Sequence, residues 1–280
     1  MPVLDDVVDL LACPVCGGAL TPGAGALRCG AGHAFDVARQ GYVSLLAGAG
    51  SPGTADSPAM VAARDAFLRA GHYAPLADTL ARTVRAALPP GGAVLDAGAG
   101  TGYYLARALP AEARGIALDV SKHAVKRAAR AHPRVGAVVA DIWRPLPVAD
   151  AAVDVVLNVF APRNGPEFAR VLRPGGVLVV VTPEPDHLRP LVGMLGLLSV
   201  DEDKERRVER SLSGGGFAET DRRVVRFGLD LGPEAIEAVV AMGPSAWHAD
   251  PAALRERIGA LATPLAVTAA FRMSTFEPAR

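Results

Sequence analysis

From Ala93 onward, short apolar runs recur between stretches of helical periodicity, and several of the runs end on an acid. Residues 93–97 (AVLDA), 115–119 (GIALD), 137–140 and 153–160 (VDVVLNVF) are nearly continuous apolar segments, the pattern of strands buried on both faces. PEFARVLRPGGVLVVVTP then supplies a helix, an RPGG turn and a further buried strand ending at Thr182. Alternation of strand, turn and helix predicts an α/β, doubly wound sheet. FAETDRRVVRFGLDL and PLAVTAAFRM suit a closing antiparallel pair, which makes the sheet seven-stranded.

Upstream, residues 60–88 have helical periodicity interrupted at Gly71 and Pro75, which predicts two helices packed on that sheet. Residues 48–58 (GAGSPGTADSP) read as a linker, so the expected organisation is a module over 1–47 and a larger domain over 59–280. The run DEDKERRVER (201–210) mixes signs and reads as a solvent-exposed helix.

Composition narrows the class. Half of the 280 residues are hydrophobic, enough for a sizeable core. No stretch of about 18 uncharged apolar residues occurs, and the acidic start lacks the basic flank of a signal peptide, so a cytoplasmic, membrane-free protein is expected. The 29 basic and 29 acidic residues balance, so any nucleic-acid footprint must be local. The three cysteines, Cys13, Cys16 and Cys29, cluster near the start, which argues for metal or catalysis rather than a disulfide framework.

Cys13 and Cys16 stand at C-x2-C spacing, and Cys29 and His33 follow at C-x3-H spacing. Three thiolates and one imidazole fill a tetrahedral site, the donor set of a structural zinc ion. Gly17, Gly18, Gly30 and Gly32 permit the tight turns that aim each ligand pair. Too few large apolar residues lie here for the segment to fold alone, so metal would supply its folding free energy. Residues 1–60 hold two arginines (Arg28, Arg39) against five aspartates (Asp5, Asp6, Asp9, Asp36, Asp56), a poor clamp for phosphates. Phe35 and Tyr42 offer aromatic contacts there.

The turn Gly98-Ala-Gly100-Thr101-Gly102 opens a helix near Tyr103 and Tyr104 at the end of the first predicted strand. Alone it fits a dinucleotide enzyme equally well. Three acids shift the balance: Asp96 just before the glycines, Asp119 at the end of the next strand, and Asp141 at the end of the third. Such a set suits an aminoacid moiety, a ribose and an adenine amino group, which points to S-adenosylmethionine. Val120 and Ile142 flank the last two acids and complete the candidate cofactor contacts.

The C-x2-C-x12-C-x3-H module, FDVARQGYVSLL, AGHYAPL (70–76), DVSKHAVKRAARAHP (119–133), NVFAPRN (158–164), TPEPDHL (182–188) and MGPSAWH (242–248) span nearly the whole chain. Together they make it resemble the bacterial 23S ribosomal RNA guanine-N1 methyltransferases, class I enzymes with an N-terminal zinc module. NVFAPRN and MGPSAWHADP are most similar to the actinobacterial tylosin-resistance branch. The resemblance implies a guanine in hairpin 35 of 23S RNA as the target and macrolide resistance as an outcome. It also implies Cys13, Cys16, Cys29 and His33 as zinc ligands and Tyr73 and His187 as further cofactor contacts; a homodimer is a permitted assembly.

N1 lies on the Watson–Crick edge, so the guanine must be unpaired or extruded, and its proton must leave. The segment from Asn158 to Pro162 is placed to hold the base edge, with Phe160 stacking on it. Trp247 is a second stacking candidate, and Asp186, His187 and His248 are candidate proton acceptors. Lys122, Lys126 and Arg130 recur at i, i+4 and i+8, joined by Arg127 and Arg134, and form a basic stripe; Arg163 and Arg189 lie nearer the cleft. Two other functions compete: a small-molecule methyltransferase with the zinc module as a lid, and an inactive ribosome-binding zinc protein. Cofactor binding separates the last from the rest.

Overall fold

The computed structural model describes residues 2–46, 48, 55–197, 212, 214, 216–243 and 251–279. Residues 49–54 of the expected linker, the charged run 201–210, Trp247 and His248 lie outside the described residues.

Strands β1 (Leu20–Pro22), β2 (Ala26–Cys29) and β3 (Ala34–Asp36) form a small antiparallel sheet. The others are β4 (Tyr42–Ser44), β5 (Ala93–Ala97), β6 (Arg114–Asp119), β7 (Val135–Val139), β8 (Val153–Val159), β9 (Leu172–Pro183), β10 (Phe217–Leu231) and β11 (Leu265–Pro278). They make one sheet of eight in the order β10-β11-β9-β8-β5-β6-β7-β4. From β9 to β4 all neighbours are parallel, while β11 alone runs against them, antiparallel to both β9 and β10. The seven strands expected from residue 93 onward are all present. The eighth, β4, comes from the N-terminal segment and pairs Tyr42 with Ala137 and Ser44 with Val139.

Strand β5 lies between β6 and β8, so the order reverses beside it, and the crevice at the carboxyl ends of β5 and β8 is where a doubly wound sheet binds its ligand. One face is covered by helices Pro58–Arg69, Ala74–Ala87, Tyr103–Ala108 and Lys122–Ala128, which bury Phe67, Leu80, Leu105 and Val125 on the sheet. Ser57 caps the first of these, accepting from the Met60 N–H at 3.3 Å.

The opposite face is closed differently. No helix connects β7 to β8, and the N-terminal segment fills the gap beside helix Gly165–Val171. Leu4, Val7, Leu10 and Leu11 share one core with Ile116, Leu118 and Val138 of the sheet. The Ala12 N–H donates to Pro147 O at 3.1 Å and the Ala149 N–H to Leu10 O at 2.9 Å, binding the segment to the β7–β8 connection. A Cβ at Gly136, in β7, would collide with the Val7 side chain. Arg114 adds an ion pair to Asp9 at 2.7 Å. The zinc-bearing segment therefore belongs to the same core as the sheet and is not a bead on a tether.

Candidate active site and zinc centre

Two knuckles aim the cysteine and histidine side chains. The Gly17 N–H donates to Cys13 O at 2.8 Å, and the Gly32 N–H donates to Cys29 O at 3.0 Å. Of the four glycines expected to make these turns, Gly17 and Gly32 occupy the left-handed region, at φ 72° and 89°. The ligand atoms of Cys13, Cys16, Cys29 and His33 all lie within 4.8 Å of one another. Cys16 Sγ to Cys29 Sγ is 3.7 Å, Cys13 Sγ to His33 Nδ1 is 3.6 Å and Cys29 Sγ to His33 Nδ1 is 3.3 Å. Bonds of about 2.0–2.3 Å to zinc make tetrahedral edges of about 3.4–3.8 Å, so the cluster fits the ion.

At the sheet, the loop after β5 turns on Gly98, Gly100 and Gly102, whose φ values are 88°, 54° and 77°. A Cβ at Gly98 would collide with Ala161, so this loop lies directly against the one leaving β8. Asp119 ends β6 and accepts from the Gly100 N–H and the Ser121 N–H, both at 2.8 Å, which fixes the carboxylate while leaving lone pairs for ribose hydroxyls. Burial raises its pKa against these two donors.

Asp96 is buried and neither of its oxygens has a hydrogen-bond partner; the nearby Tyr104 hydroxyl is also buried and unpartnered. Burial, with a smaller contribution from Asp119, pushes Asp96 up to about 8. Orphaned buried polar groups cost about 1–3 kcal/mol each unless a ligand completes them. The ammonium group at the aminoacid end of S-adenosylmethionine is such a ligand. Ile142 is buried against Gly98, and Val120 lies beside Asp119. Asp141 accepts from the Trp143 N–H at 3.0 Å. Thr101 is buried in the glycine loop, and Tyr103 is half-buried at the start of its helix.

His187 and Tyr73 meet, as neighbouring cofactor contacts should, but the proton positions remove one role. The Ala270 N–H donates to His187 Nδ1 at 3.1 Å, so the neutral ring carries its hydrogen on Nε2. Nε2 lies 3.1 Å from the Tyr73 hydroxyl, which accepts that hydrogen and keeps its own for a ligand. Burial holds His187 down at about 4. With both nitrogens engaged, His187 is not a proton acceptor for a substrate; it orients Tyr73. Asp186, another candidate base, is ion-paired with Arg226.

Asn158 positions the loop after β8. Its amide nitrogen donates to Ala97 O at 3.0 Å and Pro162 O at 2.8 Å, so both hydrogens tie that loop to the end of β5, while its buried carbonyl oxygen has no partner and is the atom left to accept from a base edge. That loop presents Phe160 with φ 56°, a strained conformation for a bulky residue, and leaves it 42% exposed. Its ring rests on Phe271 at 5.4 Å and Tyr104 at 6.2 Å between centroids. Phe271 continues into Tyr73 at 4.9 Å, and Tyr73 into Phe67 at 4.9 Å.

The basic candidates are less concentrated than their spacing suggests. Lys122, Lys126 and Arg130 are exposed, but the helix Lys122–Ala128 starts at the carboxyl rim and runs away from it and Arg130 lies in the turn beyond its end, so Lys122 alone of the three stands beside the cleft. Arg127 is paired with Asp65 at 3.4 Å, and Arg134 donates to Ala113 O at 3.0 Å. Arg189 is exposed at the start of helix Arg189–Leu195, and Arg163 is half-buried in the loop after Phe160.

Four residues escaped the sequence reading. Phe271 and Phe227 stand in the strand pair, where alternation marks them only as inward or outward. Arg64 contacts Asp56 and donates to Met242 O at 3.0 Å above the Gly100 loop; its helical spacing reads as an ordinary exposed face. Trp143 is exposed two residues past Asp141, a place the strand pattern does not reach.

A switch-point cleft floored by a triple-glycine turn, with acids ending β5 and β6, and a Cys3His cluster on the same core define a class I S-adenosylmethionine-dependent methyltransferase with a structural zinc ribbon. Comparison with known proteins agrees part by part. Residues 11–48 match the zinc-ribbon family described as "RlmA, N-terminal", and residues 94–176 match "Methyltransferase domain". A Streptomyces fradiae protein named 23S rRNA (guanine(748)-N(1))-methyltransferase is 51% identical, over 91% of this chain and 92% of its own length. A Micromonospora griseorubida protein, provisionally named 23S rRNA (guanine-N(1)-)-methyltransferase, is 51% identical over 98% of this chain and 99% of its own. The YcgJ protein of Bacillus subtilis shares the fold, with a TM-score of 0.50 at 15% identity, covering 72% of this chain and 98% of that one. The chain belongs to the family of 23S rRNA (guanine-N1)-methyltransferases.

Proposed function

We propose that this protein transfers the methyl group of S-adenosylmethionine to N1 of guanine 748 in hairpin 35 of 23S ribosomal RNA, the position in the name of the Streptomyces fradiae relative. The observation that carries the reading is 51% identity to that enzyme across nine-tenths of both chains. When bound, the cofactor supplies an activated methyl on a sulfonium centre. Asp96, Asp119, Tyr73 and the Gly98–Gly102 turn would hold it, and Phe160 would take the face of the extruded guanine. His187 and Asn158 set the positions of Tyr73 and the Phe160 loop. The N1 proton must leave as the bond forms, and the acceptor proposed here is water.

Lys122, Arg163 and Arg189 hold phosphates around the cleft, in line with a neutral chain whose charge is used locally. The long outer strand β10 gives two copies an edge on which to pair as a homodimer. Ribosomal RNA as substrate places the protein in the cytoplasm; among the described residues no helix is long and apolar enough to cross a membrane. A methyl at this nucleotide, beside the macrolide site, lowers sensitivity to tylosin. Primer extension over hairpin 35, with RNA from cells with and without the gene, tests the proposal. N1-methylation blocks pairing, so a gene-dependent stop is expected opposite guanine 748. A stop at the neighbouring guanine would correct the position, and none in the hairpin would remove the substrate.

A further inference from the structure

Trp143, 67% exposed, and Phe160 are the two exposed aromatic side chains among the described residues. Both stand on the carboxyl rim of the sheet, Phe160 after β8 and Trp143 after β7. Three strand spacings separate β8 from β7, about 14 Å across the cofactor crevice. The two loops are bound into one platform. Asn164, four residues past Phe160, donates its amide to Ile142 O at 2.8 Å, and the Trp143 N–H is held by Asp141 at 3.0 Å. A cavity of about 120 Å³ beside Asp141 and Arg144 of this loop is also bounded by Pro14 of the zinc knuckle, Leu45 and Leu46. Lys122 opens the helix after β6, between the two aromatics.

An indole presented to solvent from an anchored loop at the rim of the cleft matches the stacking platforms on which proteins receive unpaired bases. We infer that Trp143 stacks on an unpaired nucleotide flanking the target guanine, on the side of the cleft that the zinc knuckle borders. The inference rests on the proposed RNA substrate.

The test uses the full chain with S-adenosylhomocysteine and a hairpin 35 transcript. Trp143→Ala is expected to weaken transcript binding about ten- to a hundredfold, the range of one base–aromatic stack, with S-adenosylhomocysteine affinity by calorimetry held within about twofold. Trp143→Phe should recover most of the loss. In a Trp247→Phe background the indole emission should be quenched by the transcript and not by S-adenosylhomocysteine. Unchanged transcript affinity in Trp143→Ala overturns the inference while the substrate stands. A matching loss of S-adenosylhomocysteine affinity also overturns it, since Trp143 would then be covering the adenine. A wild-type chain that ignores the transcript removes the substrate reading and the inference together.

Discussion

Asp96 and His187 are both driven to their neutral forms by burial, and their partners decide what that means. Asp96, near 8 and unpartnered, is protonated at pH 7, so the folded chain without ligand binds a proton that the unfolded chain lacks. This term lowers stability as pH rises from about 4 to about 8. A cation placed beside Asp96 restores the carboxylate. Cofactor binding is therefore expected to release protons near pH 7 and to tighten as pH rises toward 8. Calorimetry in buffers of different ionisation enthalpy reads the release directly, and Asp96→Asn should abolish it; buffer-independent heats in the wild type would contradict the assignment. His187, held at about 4, stays neutral throughout this range. His187→Gln should weaken S-adenosylhomocysteine binding roughly tenfold through loss of one hydrogen bond to Tyr73, while the pH dependence of the single-turnover rate keeps its shape. A profile that flattens would make His187 a base after all. The pairing of Tyr73 with His187 was not legible by spacing, since 114 residues separate them; only the family phrases brought both to one site.

At the scale of elements, β5 to β11 were legible because each is a long apolar or alternating run with its own punctuation. Strand β4 was not, because three residues carry no period, and its place is decided by the free edge of β7. The docking of the N-terminal segment was hidden for a related reason. Leu4, Val7 and Leu11 look in sequence like the core of a small module, and nothing local reveals that the β7–β8 connection lacks the helix they replace. The two roles of the segment separate by mutation. Gly136→Val should drive β7 into Val7 and lower the melting temperature, at a cost of about 1–3 kcal/mol, with zinc content near one per chain. Cys13→Ala should lose the zinc itself. Metal analysis beside a melting curve checks both, and full zinc content in Cys13→Ala would refute the ligand set.

On the scale of the whole molecule, one core carries two sites that face the same rim. The parallel sheet places Asp96, Asp119 and Phe160 at its carboxyl edge, and the ribbon's Pro14 shares a cavity with Asp141 and Arg144. Net neutrality coexists with an RNA substrate because ion pairs such as Arg127–Asp65 and Arg114–Asp9 use much of the positive charge internally. The sequence balance of 29 against 29 could not show which cations stay at the cleft. The central claim is that this cleft methylates N1 of one guanine, and reconstitution tests it most directly. Purified protein, S-adenosylmethionine and a hairpin 35 transcript should yield 1-methylguanosine on nucleoside analysis, at one equivalent per transcript, and replacing guanine 748 by adenine should abolish the product. Methylation at a different atom, or an undiminished yield from the substituted transcript, would contradict the account.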